Sequence, residues 1–145
     1  MASKQVVGWH VMATIPEELI TKVLQRTFGA QPPTLDLLVH SERGGQYCGK
    51  VYGKLLHDHH ALRSQSRRGD CHDNAQTESL WARLKTEVFE LRERPVFADL
   101  ADAQASVADY LDYYNHERLH SSIDYQAPYH THQQPLQLNA LNCPA

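Results

Sequence analysis

Residues 35–39, Leu-Asp-Leu-Leu-Val, form a short apolar run between turn-forming residues. The run is too short for a helix and is interrupted once, which is typical of a strand that helices cover on an α/β sheet. A polar stretch, His40–Gln46, follows at once. Because open α/β sheets place their chemistry at the carboxyl ends of their strands, the sequence predicts an α/β layer fold with a candidate site just after residue 39.

Helical and strand patterns on both sides of this run support the same fold class. Thr14 and Glu17 are spaced as a capping box, and Gly29 is placed to end the helix that follows. The other predicted elements are a strand at 5–12, a helix at 49–59, a short strand at 61–63, a helix from Asp73 to Pro95 and a helix at 98–116. The 145 residues suffice for one domain, which we place at 1–130, and the Gln-, His- and Pro-rich residues 131–145 are predicted to form a disordered tail.

The helix predicted after residue 73 has two different faces. Its apolar stripe consists of Leu80, Leu84, Val88 and Leu91, and its polar row contains Asn74, Glu78 and Lys85. A polar row of this kind is usually a solvated face. However, Glu42 follows the predicted strand directly and precedes Glu78 by 35 intervening residues. Two such carboxylates can share a divalent cation, so a metal site is the alternative interpretation.

Composition and charge limit the possible partners. The chain carries 14 Lys and Arg against 17 Asp and Glu, a net charge of −3, which argues against binding nucleic acid through bulk charge. Residues 1–69 hold nine basic and five acidic side chains, whereas residues 70–145 hold five and twelve. Any phosphate contact is therefore local, and we expect it around Arg63, Arg67 and Arg68.

Cysteine and histidine usage indicates neither a disulfide framework nor a zinc site. The three cysteines include no Cys-x-x-Cys pair, so we interpret them as reduced thiols. His57 and His60 lie near a predicted helix end, where a solvated role is commoner than zinc binding. No apolar run is long enough to span a membrane and no signal peptide is evident, so we expect a cytoplasmic protein without a membrane partner.

Four blocks of the sequence stand in a fixed order: His40–Tyr47, Ser66–Leu80, Leu84–Glu87 and Tyr114–Ser121. Together they resemble the catalytic region of bacterial insertion-sequence transposases of the OrfB type, in the retroviral-integrase superfamily. Gln5–Trp9 is also similar to that family's third strand. The resemblance implies an RNase H-like fold, the integrase catalytic core, in which an Asp-Asp-Glu triad cuts and joins DNA strands with Mg²⁺ or Mn²⁺ ions.

The resemblance also assigns roles by position. Glu78 matches the final Glu of the triad and Glu42 stands where the family has its second Asp, so both are predicted to be catalytic and to hold the metal. Lys85 matches a basic residue that faces the DNA. Arg67, Arg68 and Asn74 complete the predicted DNA-binding set, with the two arginines expected to position phosphate groups without reading base sequence.

Two departures from the family pattern bear on activity. Glu42 replaces an Asp, and its extra methylene moves the carboxylate by about 1.5 Å, which weakens a Mg²⁺ site that demands near-octahedral geometry. The family's first catalytic Asp lies on a strand before the region that matches Gln5–Trp9, and residues 1–5 contain no carboxylate. We therefore expect an amino-terminally truncated RNase H-like core that lacks its first two strands.

This expectation leaves three interpretations of the chain. The chain is a transposase catalytic-domain fragment for metal-dependent DNA transposition and integration, inactive unless another polypeptide supplies the third ligand. Alternatively, it is a non-catalytic remnant that binds DNA or a full-length transposase, or a decayed coding product without a function. A strand edge left unpaired by the missing strands further predicts marginal stability or a homo-oligomer that covers the edge.

Overall fold

The computed structural model describes residues 3–67, 75–90 and 97–141. Its helices are α1 (Glu17–Ala30), α2 (Lys50–Asp58), α3 (Ala75–Leu84), α4 (Leu100–His116) and α5 (Pro128–Leu141). A π-helical turn, Lys85–Glu90, continues α3, and 3-10 turns form at Gly45–Cys48 and Ser121–Ile123. Two strands, β1 (Leu38–Ser41) and β2 (Leu62–Gln65), complete a mixed α/β fold.

The two strands form a parallel pair that is covered on one face. Leu38 lies opposite Leu62, and the register continues to Ser41 opposite Gln65. Phe28 of α1 and Tyr52 and Leu56 of α2 form a buried cluster against which Val39 of β1 packs. On the other face, Leu38 and Leu62 remain 62% and 51% exposed. Within the described residues β1 pairs with β2 alone, so each strand has one edge without a strand partner.

A second buried cluster joins α3 and its π-helical continuation to α4. Its members are Leu84, Val88, Val107, Tyr110, Leu111 and Tyr114. Leu80 packs against this cluster from α3, which confirms the predicted apolar stripe for its described members; Leu91 lies outside the described residues. The Asp99 side chain caps α4 by accepting a hydrogen bond of 2.8 Å from the Asp102 amide. The helix after residue 97 thus begins within two residues of its prediction, and it buries Val107, Leu111 and Tyr114 while Leu100 is 42% exposed.

The strand predicted at residues 5–12 is wrong, because this segment pairs with no strand among the described residues and instead lies along α4. The Asn115 side chain accepts a hydrogen bond from the Val6 amide at 2.9 Å and donates one to the Val6 carbonyl at 3.0 Å. Gln104, eleven residues earlier on α4, donates to the Val11 carbonyl at 3.1 Å. Eleven helical residues and five extended residues both span about 16 Å, so the segment runs opposite to α4.

Gly8 lets this segment pass close to α1. A methyl group at Gly8 would lie 2.0 Å from the Thr27 hydroxyl oxygen, so only glycine fits without a shift. The Thr27 hydroxyl is itself held by the Val23 carbonyl at 2.9 Å. The N-terminal segment is therefore placed between α1 and α4.

The boundaries of α1 and β1 differ from their predictions for local reasons. Pro16, rather than Thr14, is the N-cap of α1 and makes no side-chain capping bond; the helix ends at Ala30, past Gly29. The predicted strand at 35–39 begins only at Leu38, because Asp36 has a φ of 61° and the Leu37 amide donates to the Thr34 carbonyl in a turn. The strand then extends two residues further, to Ser41.

Helical order extends past the predicted domain boundary at residue 130. Pro128 suits a helix start because it needs no amide partner there, and it is fully buried. His132 also bonds the Ser3 hydroxyl oxygen at 3.1 Å through Nδ1, which ties α5 to the N-terminal segment. In the region 131–145, where a disordered tail is predicted, the described residues up to Leu141 continue α5. The division into domains stays a prediction.

Within the described part of the chain, none of the helices combines the length and the apolar character that crossing a bilayer requires.

Candidate metal and DNA site

Glu42 lies where the sequence places it, directly after β1. Its side chain is exposed, and its carbonyl accepts a hydrogen bond of 3.5 Å from the Gln65 side chain of β2. Its carboxylate lies near Gly44, since Oε1 would be 3.5 Å from a methyl group placed there. Burial, and then the charge of Glu42, raise the pKa of Tyr47. The carboxylate of Glu42 is therefore accessible at the carboxyl end of the sheet.

Arg67 follows the end of β2 and is exposed. The residue before it, Ser66, is 4% exposed and donates its amide to the Ser41 carbonyl at 3.0 Å. Arg63 is also exposed; its guanidinium donates to the Tyr47 carbonyl at 2.5 Å and lies over the Tyr52 ring at 5.8 Å. Arg63 and Arg67 are thus the two described cations of this group, and a phosphate contact at either stays a prediction.

A histidine between the two strand ends was not singled out by the sequence analysis. His40 Nδ1 lies 2.9 Å from the Ser64 hydroxyl oxygen, and Nε2 lies 3.1 Å from that of Ser66. His40 stands in the polar stretch directly after the predicted strand, so the sequence could have indicated it as a candidate. The partners on β2 could not be found without the register.

Glu78 and Lys85 lie on the exposed side of α3 and its continuation. Glu78 is in the first turn of α3, and Lys85 begins the π-helical turn, two helical turns later. Both side chains are exposed, whereas Leu84 and Val88 face the second buried cluster. The predicted separation of a polar row from an apolar stripe is therefore confirmed for these residues. Arg68 and Asn74, the other two predicted DNA contacts, lie outside the described residues.

The donors present suit a hard divalent cation, but they lie on separate elements. Mg²⁺ is commonly held by one or two carboxylates together with water and substrate phosphate oxygens, which Glu42 and Glu78 could supply. Among the residues that the structure describes, no group of three His, Cys, Asp or Glu is close enough to hold a metal ion. Metal binding by these two carboxylates therefore stays a prediction.

The sequence analysis also missed an ion pair between the π-helical turn and the residues that follow α4. Arg118 donates two hydrogen bonds to the Glu87 carboxylate, at 2.8 and 3.3 Å. The bonds with Arg118 lower the pKa of Glu87, and burial raises the pKa of the neighbouring Tyr110. Both charged residues occur in the blocks that resemble the transposases, but 31 positions separate them and no local pattern pairs them. The pair fixes the π-helical turn against the end of α4.

Residues 62–128 match the integrase core domain family. This domain implies an RNase H-like fold, and the mixed α/β structure agrees with that class. Integrase core domains generally use divalent metal ions.

Two insertion-sequence proteins illustrate the relationship over most of the chain. The transposase for insertion sequence element IS904 from Lactococcus lactis subsp. lactis (strain IL1403) is 32% identical over 127 residues, which cover 87% of this chain and 49% of that protein. The transposase InsF for insertion sequence IS3A from Escherichia coli (strain K12) is 32% identical over 120 residues, covering 82% of this chain and 41% of that protein. The chain is thus related to insertion-sequence transposases, and it spans less than half the length of either relative.

Proposed function

We propose that this chain takes part in metal-dependent cleavage and joining of DNA strands, and that its described residues correspond to the later part of an RNase H-like core. The observation that carries the proposal is the placement of two accessible carboxylates within the matching blocks. Glu42 stands at the carboxyl end of β1, and Glu78 stands on the exposed side of α3. Relatives of this chain are named as transposases, which supports the same reaction class.

Each residue of the site has a distinct proposed role. Glu42 and Glu78 would hold the divalent metal, which stabilises charge on the attacking and leaving oxygens of phosphoryl transfer. Arg67 and Lys85 are exposed cations that would contact backbone phosphates and so fix the DNA strand without reading its sequence. Arg68 and Asn74 are assigned to DNA contacts on the resemblance alone.

A non-catalytic role in binding DNA or a full-length transposase is the second candidate. Glu42 occupies the position of an Asp in the related family, and its longer side chain displaces the carboxylate from where a Mg²⁺ site with near-ideal geometry needs it. Exposed Arg67 and Lys85 would still provide phosphate contacts. We propose that the chain alone cleaves DNA weakly or not at all, and that it retains DNA through these contacts.

Plasmid nicking and strand transfer in Mn²⁺ test the catalytic proposal. Wild type is compared with Glu78→Gln, which removes a proposed metal ligand, and with Glu18→Gln, which alters an exposed α1 carboxylate paired with Lys22. Activity lost only in Glu78→Gln supports catalysis. Glu42→Asp provides the matched test at the other ligand, because restoring the shorter carboxylate is expected to raise the activity.

Retention on DNA, measured against salt concentration, separates the two candidates. Loss of a phosphate contact reduces the slope of log K against log salt by about 0.9 in magnitude. Arg67→Ala and Lys85→Ala should each show this reduction. Absence of nicking with salt-sensitive retention supports a non-catalytic role in DNA binding, and absence of both contradicts catalysis and DNA binding alike.

A further inference from the structure

The carboxyl ends of β1 and β2 are joined by side chains as well as by the strand pairing. The His40 ring lies between two hydroxyl groups, with Nδ1 at 2.9 Å from Ser64 Oγ and Nε2 at 3.1 Å from Ser66 Oγ. Ser64 is the register partner of His40, whereas Ser66 lies just past the end of the paired strands. The bond to Ser66 therefore holds the chain in place one residue beyond the last strand pair.

The His40–Ser66 contact lies next to Arg67, the proposed phosphate contact, and near Glu42, the proposed metal ligand. Ser66 immediately precedes Arg67, and His40 lies two residues before Glu42. The Ser66 amide also donates to the Ser41 carbonyl at 3.0 Å, and the Gln65 side chain reaches the Glu42 carbonyl. The main chain at both positions is thus tied across the strand ends.

The chemistry of imidazole suits a link of this kind. A neutral imidazole has one nitrogen that donates and one that accepts, and each serine hydroxyl can do either. Both tautomers therefore satisfy both hydroxyl groups. Ser66 is 4% exposed, so a lost partner would leave a buried hydroxyl without a hydrogen bond from this ring.

We propose that His40 is a positioning residue, which holds Ser66 and thereby fixes Arg67 at a set position relative to Glu42. Without the His40 bond, ordering the backbone that carries Arg67 would cost as much free energy as the phosphate contact provides, so the contact would not form. With the bond in place, this backbone is already ordered when the chain folds, so its ordering does not reduce the affinity for DNA. This inference rests on the proposed function, since it requires that Arg67 contacts DNA.

A double-mutant cycle on DNA affinity tests the proposal. His40→Asn keeps a polar group near the Nδ1 position and loses the reach to Ser66, whereas His40→Gln retains that reach. We expect His40→Asn to lower the affinity as much as Arg67→Ala does and to make the salt slope shallower by about 0.9. Between 50 and 200 mM salt, the fall in affinity would become about threefold smaller. The double variant should lose no more than either single variant.

Three further measurements distinguish positioning from a general loss of structure. His40→Gln should restore both affinity and slope, and Ser66→Ala should reproduce His40→Asn. Arg26→Ala removes a cation of α1 that contacts His10, so its effect on affinity should simply add to that of His40→Asn. Both variants should keep a cooperative unfolding transition, with His40→Asn melting below His40→Gln because only the Asn variant leaves the buried Ser66 hydroxyl without this partner.

The outcomes separate this inference from the proposed function. Additive effects of His40→Asn and Arg67→Ala, or equal losses in the Asn and Gln variants, would overturn the positioning role while wild-type binding stands. If wild type shows no salt-sensitive retention on DNA, the DNA-binding proposal fails and the role of His40 fails with it.

Discussion

Replacing Asn115 with alanine is expected to release the N-terminal segment from α4. The Asn115 amide satisfies both main-chain groups of Val6, at 2.9 and 3.0 Å. Val6, Trp9 and Val11 of this segment pack against the second buried cluster. Asn115 therefore supplies both polar contacts of Val6, while His132 contacts Ser3 nearer the terminus.

The expected loss follows from these two hydrogen bonds. Each contributes a net of about 1 kcal/mol, and removal of the side chain leaves the partly buried Val6 amide and carbonyl without a protein partner. The free energy of unfolding should fall by about 2 kcal/mol. Gln104→Ala removes only the bond to the Val11 carbonyl, so we expect about half that loss.

Urea unfolding combined with tryptophan fluorescence measures both effects. The chain has two tryptophans, and Trp81 is 54% exposed, so a Trp81→Phe background reports on Trp9 alone. Asn115→Ala should lower the unfolding midpoint and shift the Trp9 emission to longer wavelength. If stability changes by less than about 0.3 kcal/mol and the emission is unmoved, the amide contacts do not hold the segment.

Two further predictions concern the ion pair of Arg118 with Glu87 and the cluster beneath the sheet. Because bonds with Arg118 depress the pKa of Glu87 in the folded chain, their stabilisation is present above the ordinary glutamate pKa of about 4.3 and is lost as pH falls through the lower folded value. Denaturation from pH 7 to pH 3 should therefore show wild type losing its advantage over Glu87→Gln on acidification; a constant difference would contradict this. Leu56→Ala, at a site 2% exposed, should cost about 2–5 kcal/mol, whereas Val51→Ala, at a site 58% exposed on the same helix, should change stability by less than about 0.5 kcal/mol in thermal unfolding.

Helices were predictable where their pattern is local. The helix predicted at 49–59 is α2, Lys50–Asp58, and the one predicted at 98–116 is α4, Leu100–His116. Hydrogen bonds four residues apart and an apolar face with helical spacing are both contained in the segment itself. Even so, local spacing did not decide which residues of α2 are buried. Val51 is exposed, and Tyr52 is 1% exposed because it faces α1 and the sheet.

Strand-like segments were less predictable because their partners are distant. Residues 5–12 have the β-branched and aromatic composition of a strand, yet side chains of α4 satisfy Val6 and Val11 in place of a neighbouring strand. The run at 35–39 loses its first half to a turn at Asp36. Composition records the preference for an extended backbone, and tertiary contacts decide whether a ladder forms.

The candidate site likewise has residues that the sequence indicates and contacts that only the tertiary structure shows. The sequence by itself determined the resemblance to transposases and the candidates Glu42, Glu78, Lys85 and Arg67, because these residues occur in short blocks with fixed spacing. Only the tertiary structure brought His40 to Ser66 and Arg118 to Glu87, across 26 and 31 positions of the chain. Such contacts depend on strand register and helix packing, which are set by burial of the whole apolar surface, so no local pattern of residues specifies them.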